Sequence, residues 1–289
     1  MEYTLLIGAV FLATTNNVLL HMKKSKGLKS AFLFNFYVSI IWIIMLLVLL
    51  GRLPRFTPVT VFYGCLYGVF QGLFLFFKMQ SMATGPISVT TLLGNCSLIL
   101  STALGIFLFS EKVNFLQIVG VLFLIVAMVL TTKSSDNMVL TKKWGFYCSG
   151  FFIIAGSIGV IMKLFSKAAP NEVGSIILIS AFVMAIVYFI LYMVTSFKDK
   201  TPVAFGKTEY ILAFCCGLVS CGYNRLNGYL AGVIDSIIFY PIFNGATILF
   251  SALFGCLLFG ERFTKRQTVG FAVGLVALLL AGNFLNILF

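Results

Sequence analysis

Polar and cationic side chains placed inside long apolar runs are the residues of this chain that can do chemistry. A polar group in hydrocarbon must find a partner, because it is costly to leave unpaired there. Amides and hydroxyls in such runs suit hydrogen bonding to a small polar solute, and the cations Lys78 and Arg225 attract a carboxylate or phosphate. The sequence therefore predicts a solute-binding cavity lined by Asn17, Gln71, Lys78, Thr90, Asn95, Ser97, Asn224, Arg225, Asn227, Tyr240, Asn244 and Thr247.

Two polar stripes lie 150 residues apart in the sequence. The second stripe follows one face of a helix through Tyr240, Asn244, Thr247, Ser251 and Gly255. Its counterparts in the first stripe are Thr90, Gly94, Ser97, Ser101 and Gly105. For Tyr240, Asn244 and the neighbouring Asn95 we favour a cavity wall. Close helix packing better explains Ser101, Ser251 and the glycines, as it does Gly64, Gly68 and Gly72.

The two cations inside apolar runs have three open explanations. Each lies five or six residues from a predicted helix end, about 8–9 Å, which a long side chain can partly span by snorkelling. Arg225 also has Asp235 as its nearest acidic residue in the sequence, which allows a structural ion pair. The third explanation is contact with an anionic group of a substrate.

Metal, cofactor and enzyme chemistry have few residues to use. His21 is the single histidine, and the seven cysteines show no paired CxxC spacing, so we expect no metal and no cofactor. An intramembrane enzyme needs paired carboxylates or a Ser/His set within the apolar runs, and no acidic residue lies mid-run. We therefore expect that the protein is not an enzyme.

The amino-acid composition predicts the kind of helices that position these residues. Of 289 residues, 61% are hydrophobic and 10% charged, whereas soluble proteins carry about 25% charged residues. Runs of roughly 20 apolar residues are long enough to cross a bilayer as helices. We predict ten such spans: 3–21, 30–51, 57–82, 86–110, 113–132, 144–166, 172–196, 208–230, 233–259 and 266–287. The fold class is an all-α membrane protein without a soluble domain.

The chain also repeats itself. An offset of 150 residues gives 11 identities over the thirty positions 101–130, including Glu111 with Glu261, Gln117 with Gln267 and Gly120 with Gly270. Because each copy has an odd number of spans, five, the second copy enters the membrane from the side opposite to the first. The sequence thus predicts two inverted five-helix repeats, 1–140 and 141–289, around a central cavity.

The same segments carry a family resemblance. FSEKVNFLQIVGVLFLIVAMVL and FGERFTKRQTVGFAVGLVALLLAG, together with MATGPISV and YPIFNG, resemble motifs of the drug/metabolite transporter superfamily, nearest its ten-helix EamA-like branch. The resemblance implies an inverted-repeat carrier, commonly an exporter of amino acids or other small metabolites. Two departures are Thr91 opposite Pro241, and Ala13–Asn17 in place of a usual Trp-Gly-Ser region.

Loop charges predict the orientation. Of twenty Lys and Arg residues, 13 lie in loops on one face and five on the other, which places the first face in the cytoplasm and both termini outside. The family resemblance implies the opposite orientation, and we favour the charge count.

We expect an inner (plasma) membrane location and a retained first helix. Lys163 and His21 are predicted at the interface, and Glu111 and Glu261 at helix N-termini in structural roles.

The function predicted from these features is secondary transport of a small polar metabolite, an amino acid or related zwitterion or anion, by alternating access. An alternative substrate is a nucleobase-like or quaternary-amine compound held by amides and aromatic rings. A channel or an intramembrane enzyme is a weaker alternative. The expected partners are the lipid bilayer, the substrate and a coupling proton or counter-substrate. We expect a monomer, and the net charge of +12 reflects membrane orientation rather than nucleic-acid binding.

Overall fold

The computed structural model of the chain describes residues 2–23, 27–50, 55–84, 90, 93–94, 96–131, 141–203, 205–259 and 264–281. This part of the chain contains ten α-helices and a single 3₁₀ turn at Pro170–Glu172, without β-strands. The α-helices are α1 (Glu2–His21), α2 (Leu28–Leu50), α3 (Pro58–Thr84), α4 (Leu98–Phe109), α5 (Phe115–Thr131), α6 (Lys142–Ala168), α7 (Val173–Lys198), α8 (Lys207–Val233), α9 (Ser236–Phe259) and α10 (Lys265–Ala281).

The helices follow the predicted spans in number and order. Most ends agree within three residues, while the predicted start of the fourth span at residue 86 and the predicted end of the tenth at residue 287 lie outside the described residues. Asn95 and Thr91 lie outside the described residues, as does Glu261.

Six of the described helices are long and apolar enough to cross a membrane, namely α1, α2, α3, α6, α7 and α9. Helices α4 and α5 are apolar but shorter. Large apolar side chains stay exposed on helix surfaces, for example Phe107 at 82% and Phe197 at 83%. Such surfaces are costly in water and stable in lipid, so the chain is a helical protein of membrane type.

The chain forms two compact units. Unit 1 comprises Tyr3–Leu73 and Leu164–Gly232, and unit 2 comprises Phe74–Lys163 and Val233–Phe289. The chain passes from one unit to the other inside α3 and again inside α6. Each unit therefore draws on both predicted halves, and the repeat division near residue 140 stays a prediction.

In unit 1, α2 packs against α7 in antiparallel orientation. Near one end, Lys29 Nζ donates to the carbonyls of Asp199 (3.0 Å) and Thr201 (2.9 Å). Further along, the rings of Phe36 and Phe189 lie 5.7 Å apart. These contacts pair the start of α2 with the end of α7.

Small residues bring α3 close to α7 within the same unit. A Cβ built on Gly64 would lie 2.7 Å from Ile179, and one on Gly68 would lie 2.7 Å from Val183. Such distances are too short for a real side chain, so the glycines permit the helix contact. This is the packing role expected from the sequence.

In unit 2, α5 packs against α10, also in antiparallel orientation. Gly120 faces Ala277 and Ala281, while Gly270 faces Leu130 and Thr131. The N-terminus of each helix is capped by its own glutamine. Gln117 Oε1 accepts from Asn114 N (2.9 Å), and Gln267 Oε1 accepts from Thr264 N (3.0 Å). Residues paired by the 150-residue offset thus have the same local role in α5 and α10.

Candidate functional site

A chain of hydrogen bonds joins α1, α3 and α8 inside unit 1. Gln71 Nε2 donates to Tyr67 Oη at 3.0 Å, and Tyr67 Oη donates to Asn224 Oδ1 at 3.3 Å. Asn224 Nδ2 donates to the carbonyl of Ser220 at 2.9 Å, and Ser220 Oγ donates to Asn16 Oδ1 at 2.8 Å. We call these five residues the unit 1 polar network.

The network is neutral and mostly buried. Tyr67 and Asn224 are each 2% exposed, whereas Gln71 is half-buried. Tyr188 of α7 adds a hydrogen bond from its Oη to the carbonyl of Gln71, at 3.2 Å. The side-chain bond of Gln71 uses one of its two N–H groups, and the amide oxygen is a further acceptor. Gln71 is therefore the network member best able to bind a solute.

The sequence predicted two of the five network residues as cavity residues, Gln71 and Asn224. Ser220 lies one turn before Asn224, on the same face of α8. Tyr67 lies one turn before Gln71, so a search for polar residues at helical spacing that included tyrosine would have found it. Asn16 had no distinguishing signal, because Asn17 follows it directly.

The remaining unit 1 candidates are more exposed than Asn224. Asn17 and Arg225 are exposed, and Asn227 is half-buried. Since α8 ends at Val233, Arg225 lies about 12 Å from the helix end at 1.5 Å per residue. Snorkelling over that distance is harder than the sequence suggested. Asp235, its possible ion-pair partner, belongs to unit 2.

The polar stripes of α4 and α9 lie in unit 2 and bond mainly to backbone. Tyr240 Oη donates to the carbonyl of Gly159 at 2.5 Å, and Ser101 Oγ donates to that of Gly156 at 2.8 Å. Asn244 and Thr247 donate to carbonyls one turn earlier in α9. These bonds tie α4 and α9 to α6, which favours helix packing over a cavity wall for Tyr240.

Two candidates precede α4. The hydroxyl of Thr90 accepts from Trp144 Nε1 at 2.9 Å, and both side chains are buried. Ser97 is buried at the start of α4. Thr90 therefore satisfies the indole of α6, a structural role that the sequence pattern did not indicate.

Lys78 lies against aromatic rings of unit 2. Its Nζ is 5.8 Å from the centroid of Phe74, within cation–π range, and the Phe74 ring is 5.1 Å from that of Phe151 in α6. Phe77 and Phe76 extend the contact by packing against Tyr147. We call Phe74, Phe76, Phe77, Tyr147 and Phe151 the aromatic wall. Among the described residues, no carboxylate pairs with Lys78.

A buried ion pair is the feature of unit 2 that sequence reasoning missed. Lys163 is 1% exposed and donates to Glu111, as well as to the carbonyl of Ile234 at 3.2 Å. Glu111 accepts from Ser236 N at 2.7 Å, at the first residue of α9. The prediction of an interfacial Lys163 was wrong, because a lysine near a helix end can turn inward when a buried carboxylate receives it.

Ionisable groups also meet at one end of unit 1. Lys23 follows α1, and its Nζ lies 5.1 Å from the centroid of the Phe34 ring. Burial lowers the pKa of Lys23 to about 8, and attraction to Glu209 partly opposes that shift. Glu209 accepts a hydrogen bond from Gly206 N at 3.1 Å, before the start of α8.

No family model matches the chain, and no curated protein matches it. Among solved structures, the chain is similar to one described only as "Crystal structure of protein". The two agree with a TM-score of 0.76 over 99% of this chain and 98% of the other, at 14% sequence identity. A likeness at that identity concerns the fold alone.

Proposed function

We propose that the chain is a secondary transporter of a small polar metabolite, an amino acid or a related zwitterion or anion, working by alternating access. The proposal includes membership of the drug/metabolite transporter superfamily, near its EamA-like branch, with two inverted five-helix repeats. The helical, membrane-type chain is compatible with a carrier. The antiparallel packing of α5 on α10 and of α2 on α7 supports inversion, because inverted repeat mates must run in opposite directions.

The unit 1 polar network is the observation that carries this proposal. Amide and phenol groups in a membrane-type helix bundle are costly unless they have partners, and they mark solute pathways in such proteins. The network combines α1 and α3 of the first predicted repeat with α8 of the second. A binding site built from both repeats is the arrangement that alternating access requires.

The proposal extends to the surroundings of the protein. We place it in the inner (plasma) membrane as a monomer, with the 13-cation face in the cytoplasm and both termini outside. Its partners are the lipid bilayer, the substrate and a coupling proton or counter-substrate. It has no catalytic role and needs no cofactor.

Counterflow in liposomes tests the proposal. The full chain, reconstituted and loaded with a mixture of unlabelled amino acids and organic acids, is expected to take up a labelled member of that mixture with saturable kinetics. The variants Gln71→Leu and Asn224→Leu should reduce this uptake about tenfold or more, because each removes hydrogen bonds that the buried network needs.

The matched control is Ser180→Ala, which removes a buried hydroxyl of α7 that bonds within its own helix. This variant should transport like the unmodified chain. Non-saturable flux would show that the transporter assignment is wrong, and equal saturable flux in all variants would show that the network does not carry solute.

A further inference from the structure

We infer that Lys78 and the aromatic wall select a substrate with one carboxylate, no ammonium group and an apolar ring. This inference rests on the proposed transport function and names its substrate class. The proposed function includes both anions and zwitterions as substrates, and this inference selects the anion.

The first step is the charge of Lys78. The residue is half-buried within α3, six residues before the helix ends at Thr84, and the described acidic residues do not neutralise it. A cation inside a membrane-spanning helix costs about 2.5–3.5 kcal/mol on insertion scales. A ligand carboxylate offsets this cost through a charge-assisted hydrogen bond.

The second step is the shape of the surroundings. Nζ of Lys78 lies over the ring of Phe74, which packs at 5.1 Å against Phe151, and Phe151 is 4% exposed. Phe151 supports the half-buried Phe74 ring from behind, and we expect a carboxylate bound at Nζ to place its attached group beside the Phe74 ring. An aromatic or other flat apolar group gains dispersion and ring contacts there that a short polar chain does not.

The third step is the position of acidic side chains. The described ones all lie at or near helix ends: Glu2, Glu111, Glu172, Asp199, Glu209 and Asp235. Of these, Glu111 is held by Lys163 and Ser236, Glu172 by Thr57 and Thr60, and Glu209 by Gly206 N. No described carboxylate lies within ion-pair distance of Lys78, so we expect the ammonium of a zwitterion bound there to lose part of its hydration without compensation.

A matched ligand series tests the substrate class on the full chain in phosphatidylcholine nanodiscs. The probes are 3-phenylpropionate, L-phenylalanine, phenethylamine and propionate, with binding measured by calorimetry. We expect 3-phenylpropionate to bind about tenfold or more tightly than each of the other three, since each lacks the ring or carries an ammonium group. Equal or tighter binding of L-phenylalanine would overturn the inference.

Variants identify the residues. Lys78→Met is expected to weaken 3-phenylpropionate binding about tenfold or more, Lys78→Arg to retain most of it, and Phe74→Leu to weaken it less than Lys78→Met. Lys112→Met, which removes an exposed lysine from the turn before α5, is the control and should bind normally. Unchanged binding in Lys78→Met would leave snorkelling to lipid phosphate as the role of Lys78. If Lys78→Met does not fold, Lys78→Arg and Phe74→Leu still decide the question.

Transport measurements separate this inference from the proposed function. Saturable counterflow of another metabolite, with no response to 3-phenylpropionate, would keep the transporter assignment and reject the substrate class. Binding that follows the expected series without any saturable flux would keep the Lys78 site and reject transport.

Discussion

At the scale of single residues, Lys163 and Lys78 have different partners. Lys163 is satisfied by Glu111 and a backbone carbonyl, whereas Lys78 has an aromatic ring and no described carboxylate. Removing one member of a buried ion pair leaves the other uncompensated, and this usually costs more than the pair contributes in total. We therefore expect opposite changes in stability when Lys163 and Lys78 are each replaced by a neutral residue.

Lys163→Met is expected to destabilise the protein strongly, by about 3–5 kcal/mol, because Glu111 would stay buried without its cation. The double variant Lys163→Met with Glu111→Gln should recover part of that loss. Thermal unfolding in detergent measures both effects. Lys78→Met should unfold at or above the temperature of the unmodified chain, since no carboxylate depends on Lys78. A Lys163→Met variant as stable as the parent would contradict the ion-pair role.

Lys23 gives a pH dependence whose sign follows from its lowered pKa. Between about 8 and the ordinary value of 10.5, Lys23 is neutral when folded and protonated when unfolded, so the unfolded state binds more protons. Stability therefore increases as pH rises through this window, and below it the cost of burying the cation, partly offset by Glu209, is fully present.

The measurement for Lys23 is the difference in melting temperature between pH 7 and pH 10. The unmodified chain should gain stability over Lys23→Met across this interval, while the exposed Lys200→Met serves as the control for loss of one lysine. Parallel pH profiles for the parent chain and Lys23→Met would show that Lys23 is not the responsible group.

At the scale of elements, close helix contacts set the bundle. Gly68 lets α3 approach α7, and Gly120 and Gly270 bring α5 and α10 together. In membranes, where lipid removes most of the hydrophobic driving force between helices, such packing is a main source of stability. Glycines on these contact lines should therefore be more sensitive than those on open surfaces.

Gly68→Ala is expected to destabilise the protein by about 1–3 kcal/mol, because its new Cβ would lie 2.7 Å from Val183 and 2.8 Å from the carbonyl of Ser180. Gly145→Ala is the matched control, since a Cβ there meets no atom within 4 Å. Replacing glycine in a helix by alanine favours the helix by itself, so Gly145→Ala should be neutral or stabilising. Equal stability of the two variants would argue against tight α3–α7 packing.

At the scale of the whole molecule, long apolar runs separated by charged residues predicted the number and order of the described helices. They did so because a bilayer-spanning segment needs a long apolar run that the sequence displays directly. The hydrogen-bond partners of the candidate site residues could not be read from the sequence in the same way. Gln71 and Asn224 were identified as amides in apolar runs, but Tyr240 and Thr90 bond to helix α6, and such partners depend on contacts between distant segments. Lys163 was misplaced for the same reason.

Orientation is the remaining whole-molecule prediction, and it follows from the 13 to five distribution of loop cations. In a background where the native cysteines are replaced by alanine or serine, Lys112→Cys and Lys200→Cys place single thiols in loops on opposite predicted faces. Both parent lysines are exposed, so the thiols are accessible on their own side of the membrane. A membrane-impermeant maleimide added to intact cells should label Lys112→Cys, and should label Lys200→Cys only after permeabilisation. The cysteine-free parent controls for background labelling. The reverse pattern would place the 13-cation face outside and show that the family resemblance, rather than loop charge, gives the correct orientation.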